Sequence, residues 1–265
     1  MNMFLHELRE NRRPMIIWTF SLVAVTVLFF SMYPSIEKDG DQFIKVLQNY
    51  PEGVLKALGV QINSITSLLG FYCYFFLYIM LCGAIQAMNL GTGILSKEVS
   101  GKTAEFILTK PVTRVKIMIS KLFAVLAILV ITNLVFVAVS YMMAKAVAVE
   151  DFDMSAFFLI SAANLFVQLI FAALGFFVSA LFTKIRSVLP VSLGTVFAFF
   201  IISMFGSAIG DEASRYLTPF KYVDLPYIMK HSAYEPLYLG MGAALIAVAV
   251  GAGCLLFVKK DIHTV

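Results

Sequence analysis

Six stretches of this sequence, each more than 20 residues long, contain no Asp, Glu, Lys or Arg: Pro14–Ile36, Ala57–Ser96, Leu122–Ala144, Met154–Thr183, Ser187–Gly210 and Pro236–Val258. A Lys, Arg or Asp at the centre of a membrane helix costs roughly 2.5–3.5 kcal/mol, and a helix needs about 20 apolar residues to cross a bilayer. Uninterrupted runs of that length predict six membrane-spanning helices and leave little chain for anything else. Only 14% of the residues are charged, against about a quarter in soluble domains. The expected fold is all-α: a polytopic membrane protein forming one domain over residues 1–265. Its spans are placed near residues 15–33, 67–92, 122–144, 156–182, 188–209 and 237–258. The window Ala57–Ser96 has room for two spans, but its first ten residues, ALGVQINSIT, are too polar for half a membrane hairpin.

The charges between the windows sort by side. Residues 1–13, 97–121, 184–186 and 259–265 hold 13 Lys/Arg and 5 Asp/Glu, whereas residues 37–56, 145–153 and 211–235 hold 7 Lys/Arg and 11 Asp/Glu. Excess Lys/Arg marks the cytosolic side, so both termini are expected in the cytosol. A seventh span would place the richest basic loop opposite the basic N-terminus. The net charge of +4 follows this sidedness and does not point to nucleic acid.

Residues 1–13, MNMFLHELRENRR, bring Met1, Phe4, Leu5 and Leu8 to one side at helical spacing and predict an amphipathic helix on the membrane surface, ended before Pro14. The first outer loop begins at Pro34 and contains two weakly amphipathic stretches broken at Pro51. The outer segment 211–238, with three prolines, predicts a structured cap. Cys73, Cys82 and Cys254 lie within apolar runs and read as small hydrophobes. In the last span, Ala243, Ala247 and Gly251 form a ridge of small residues that permits close helix contact. The second span opens with FYCYFFLY, whose Phe71, Tyr72, Tyr74, Phe75 and Tyr78 read as packing and anchoring, or as the lining of a route or gate for an amphipathic substrate. Asn133, Asn164 and Gln168 read as amides that bond neighbouring helices.

Catalysis has few footholds here. No span carries an ionisable residue at its centre, which argues against the relays of proton-coupled carriers. There is no H-E-x-x-H, and His6, His231 and His263 are scattered. Ser96–Thr103, SKEVSGKT, approaches a phosphate-binding loop, but the first glycine is missing and a membrane span stands where a β-strand belongs.

The same residues open the densest charge cluster in the chain, Lys97–Lys121. Lys97–Thr109 can form an amphipathic helix with Val99, Phe106 and Ile107 apolar and Glu98 paired with Lys102. Pro111 suits the start of the next helix, and Arg114 and Lys121 share a face of it. Glu98, Gly101, Thr103, Leu108, Pro111, Arg114 and Lys121 in this order resemble the loop of ABC type-2 exporter permeases. The six spans, the N-terminal helix and the proline-rich last outer loop (TPFKYVDLPY) are similar too, so the likeness extends over the chain. It implies a permease that pairs with a second permease, identical or not, and binds two separate ATPase subunits. ATP and Mg would sit on those subunits, and this chain would bind no cofactor or metal. The resemblance further implies a coupling helix at Lys97–Thr109, a second coupling turn at Thr183, Lys184 and Arg186, and a route lined by the first, second and fifth spans.

The expected function is therefore export of an amphipathic, lipid-like or peptide-like compound, with no catalysis by this chain. The alternative is a non-transporting sensor or scaffold whose basic loop recruits a soluble partner or anionic membrane lipids.

Overall fold

A computed structural model describes residues 3–100, 114–182, 185 and 187–259, apart from the side chains of 97–100, 114 and 258–259. The described residues are helical, with no strand. Six helices are long and apolar enough to cross a membrane: Arg12–Lys38 (span 1), Leu68–Ser100 (span 2), Arg114–Val147 (span 3), Met154–Leu181 (span 4), Val188–Ile209 (span 5) and Pro236–Lys259 (span 6). The short helix Met3–Glu10 precedes them. Gly40–Leu47 and Glu52–Ala57 lie on either side of Pro51, and Ser214–Leu217, Pro219–Lys221 and Leu225–His231 lie between spans 5 and 6. Alternate crossings put the helix Met3–Glu10, the ends of spans 2, 4 and 6 and the starts of spans 1, 3 and 5 at one end, here the terminal end. The other short helices occupy the loop end.

Two prolines behave differently from their sequence reading. The first helix ends at Glu10, and span 1 begins at Arg12 with Pro14 in its first turn. There a missing N–H costs nothing, because first-turn donors have no intrahelical acceptor. Pro34 lies inside span 1, which continues to Lys38 instead of giving way to a loop. So close to the helix end, a proline forfeits a single backbone bond and is tolerated.

Spans 2 and 4 are the centre of the bundle. Their most apolar windows are 67% and 61% buried, against 17% for spans 1 and 6. Glycines let these two helices touch backbone to backbone. A Cβ on Gly91 would stand 2.2 Å from the Ala172 carbonyl oxygen, and one on Gly175 would stand 2.6 Å from that of Met88. Span 6 packs on span 4 through Gly242 and Gly253, which face Phe166 and Phe176. The expected ridge of Ala243, Ala247 and Gly251 is on the exposed face, and a Cβ on Gly251 would meet nothing within 4 Å.

A chain of side-chain hydrogen bonds ties spans 1 to 4 together. Thr19 and Thr132 share a hydroxyl contact of 3.1 Å, and Gln86 donates to Thr132 at 3.2 Å. Gln168 donates to Gln86 at 3.4 Å, Asn133 donates to Gln168, and Asn164 donates to Asn133 at 3.0 Å. Gly83 admits the last two amides: a Cβ there would meet Asn164 Oδ1 at 2.6 Å and Gln168 Nε2 at 2.8 Å. Amides that would cost several kcal/mol alone in hydrocarbon thus bond one another, with Asn164 Oδ1 left without a partner among the described residues.

The loop end is fastened by polar contacts. Asp153 caps span 4, accepting from the Ser155 and Ala156 amides at 2.8 and 3.2 Å, and its second oxygen accepts from Ser232 at 2.6 Å. Thr218 donates to the Phe199 carbonyl at 3.0 Å and Tyr234 to that of Leu159 at 2.5 Å.

Candidate functional site

The basic segment is carried by the two longest helices. Spans 2 and 3 contain 33 and 34 residues, about 50 Å each at 1.5 Å per residue, whereas a bilayer core is about 30 Å thick. The apolar run of span 2 stops at Ser96 and that of span 3 begins at Leu122, so both helices exceed their apolar lengths at the terminal end. Lys97 and Glu98 belong to the last turn of span 2, and Arg114 is the first residue of span 3; only their backbone is described. Gly101, Thr103, Leu108 and Pro111 lie outside the described residues, as do Thr183, Lys184 and Arg186. Most of the expected coupling helix at Lys97–Thr109 and all three residues of the second coupling turn thus lie outside the described residues.

Lys121 is the segment's one predicted residue whose side chain is described, and it is 4% exposed. Its ammonium donates to Glu7 Oε1 at 2.5 Å and to the Ile94 carbonyl at 3.2 Å. A buried ammonium is costly unless paired and hydrogen-bonded, and these two acceptors offset that cost. Together they join the N-terminal helix, span 2 and span 3 at one point. Ile117 and Met118, one turn earlier on span 3, are buried, while Val115 and Ile119 face outward. Beside the ion pair is a cavity of about 150 Å³ bordered by Glu7, Asn11, Asn89, Lys121 and Val188. Val188 opens span 5, so the start of that span borders the same junction.

The pairing of Glu7 with Lys121 was not visible in the sequence, because 114 residues separate them. The available signal was weak: Glu7 is one of two acids in the N-terminal segment, and Lys121 follows Arg114 and Lys116 at the start of span 3.

The aromatic residues at the start of span 2 sit at the opposite end. Phe71, Tyr72 and Phe75 are buried. Phe75 stacks on Phe29 at 5.0 Å and meets Phe30 edge-on at 5.0 Å, and Tyr72 stacks on Phe157 at 4.8 Å. Tyr74 and Tyr78 are half-buried, packed edge to face at 5.7 Å. The whole set joins spans 1, 2 and 4. Of the cysteines, Cys73 is buried and Cys82 and Cys254 are half-buried, and all three are free.

Residues 1–262 match the family described as ABC-2 family transporter protein. No curated protein matches the chain.

Proposed function

The chain belongs to the ABC-2 transporter family, and on that premise we propose that it is the permease subunit of an exporter driven through its basic segment by separate ATPase subunits. Membership makes it a multi-pass membrane component of a transporter, distinct from the ATPase. The observation that carries the coupling reading is the Glu7–Lys121–Ile94 junction. A force applied between spans 2 and 3 reaches both helices and the N-terminal helix together, because one ammonium holds all three. Their extra length at the terminal end gives a soluble partner something to press on beyond the lipid.

The distribution of Lys and Arg supports a cytosolic terminal end. Spans 1 and 5 show apolar faces outward, among them Ile16, Ile17 and Phe20 on the first and Phe197, Ile201 and Phe205 on the second. Such faces suit lipid and a second permease, identical or not, with the route between the two. Amphipathic cargo fits spans that bring hydroxyls, amides and aromatics but no central charge among the described residues.

The test is to copurify the full chain with a Walker-motif ATPase and reconstitute the two in lipid. Glu98→Arg and Gly101→Pro are expected to abolish stimulation of ATP hydrolysis while membrane insertion is unchanged. Normal stimulation in both variants would overturn the coupling proposal.

A further inference from the structure

At the loop end, a cavity of about 440 Å³ opens between span 2, span 5, the Glu52–Ala57 helix and the 211–235 segment. That volume is in the range of sites for small ligands. Its lining includes apolar residues, Leu77 and Met80 of span 2, Met204 of span 5 and Phe220. It also carries three cations, Lys56, Arg215 and Lys221, and one carboxylate, Asp224.

Two of the cations are already matched. Lys56 pairs with Glu52 at 2.6 Å, and Arg215 is bonded to Glu235 and lies 3.8 Å from Asp224. Lys221 is different. Its ammonium donates to the Ser214 hydroxyl at 2.8 Å, and among the described residues it forms no salt bridge. Burial, reinforced by the Arg215 charge, holds its pKa below the ordinary lysine value, although Asp211 and Asp224 act in the opposite sense. The position is built into span 5. At Gly206 a Cβ would come within 2.0 Å of Ser214 Oγ and 3.0 Å of Lys221 Nζ, so the missing side chain is what lets the ammonium lie against the helix.

We propose that this cavity binds an amphiphile with one anionic headgroup, phosphate or carboxylate, the headgroup on Lys221 and the apolar part along Leu77, Met80 and Met204. An ammonium has three donors, and charge-assisted bonds to an oxyanion are about twice as strong as neutral ones. The apolar wall gains from covering by a hydrocarbon tail. As a binding site the cavity is a property of this chain alone; as a statement about cargo it rests on the export reading.

The experiment is native mass spectrometry of the purified full chain in detergent, titrated with lysophosphatidic acid and with lysophosphatidylcholine of the same tail. Wild type is expected to retain the anionic lipid at least about tenfold more tightly. Lys221→Met removes that preference and Lys221→Arg keeps it. Met204→Trp, which fills the tail side without touching the headgroup side, weakens both lipids and serves as the second variant should Lys221→Met not fold. Equal affinity of wild type for the two lipids would overturn the proposal, as would unchanged discrimination in Lys221→Met or undiminished binding in Met204→Trp. In nanodiscs, competition by phosphatidylglycerol assigns the site to a resident bilayer lipid, and lack of competition assigns it to a separate single-chain amphiphile; either result upholds the headgroup chemistry. No ATPase enters these measurements, so failure here and failure of the coupling reading are separable.

Discussion

The hydroxyl groups of Tyr72 and Ser161 stand 2.7 Å apart in the core, joining span 2 to span 4. Ser161 has one hydroxyl proton, and it goes to the Phe157 carbonyl at 2.8 Å. Tyr72 is therefore the donor. Tyr72→Phe is expected to cost about 1 kcal/mol, the net worth of one hydrogen bond. Tyr72→Ala should cost about 3–5 kcal/mol by leaving a cavity among stacked rings. Unfolding in detergent with a chemical denaturant measures both.

The Gly91 and Gly175 contacts predict a sharp contrast between glycines. Gly91→Ala places a methyl against the backbone of Ala172, and helices already in contact must separate. Overpacking of this kind costs about 1–3 kcal/mol. Gly251→Ala, where a Cβ meets nothing within 4 Å, should remain within about 0.5 kcal/mol of wild type. Thermal unfolding of the two variants side by side checks the difference.

Acid should loosen the loop end through Asp153. Hydrogen bonds from Ser232, then from the Ala156 and Ser155 amides, hold its pKa below the ordinary value of 3.8. A carboxylate with a depressed folded-state pKa contributes stability that is fully present above its unfolded value and is lost as pH falls through the folded value. Unfolding temperature should therefore decline below about pH 4, and Asp153→Asn should flatten that part of the profile. A profile identical to wild type in Asp153→Asn would refute the assignment.

Removing the Lys121 ammonium tests the junction directly. Lys121→Met keeps the length of the side chain but frees Glu7 and the Ile94 carbonyl from their shared donor. Breaking one side of a buried pair costs about 3–5 kcal/mol, and the partial exposure of Glu7 moves the expectation to the low end of that range. ATPase stimulation in the reconstituted complex should fall further than in Tyr72→Phe, although both variants insert. Stimulation equal to wild type in Lys121→Met would separate the junction from coupling.

The number and order of spans were legible because membrane crossing depends on stretches without charge, a property of short windows. Helix ends were less legible. Span 2 continues past Lys97 to Ser100 and span 1 past Pro34 to Lys38, because charge marks where the bilayer ends, whereas a helix ends where its backbone bonds end. Packing was the least legible level. The regular ridge in span 6 faces outward, while Gly242 and Gly253, about three helical turns apart on another face, make the contact. The partners of Lys121 and Lys221 depend on chain segments brought together only by the fold.

The crossing at Gly91 and Gly175 divides span 2 unequally. About 14 Å of helix extends from Gly91 to Ser100 and about 35 Å from Gly91 to Leu68, at 1.5 Å per residue. The longer portion is fastened to span 4 as well, where Gly83 admits Asn164 and Gln168 and where Tyr72 is bonded to Ser161. Held to one neighbour at three levels, span 2 cannot shift without carrying span 4 along, and the pair would travel as a single body.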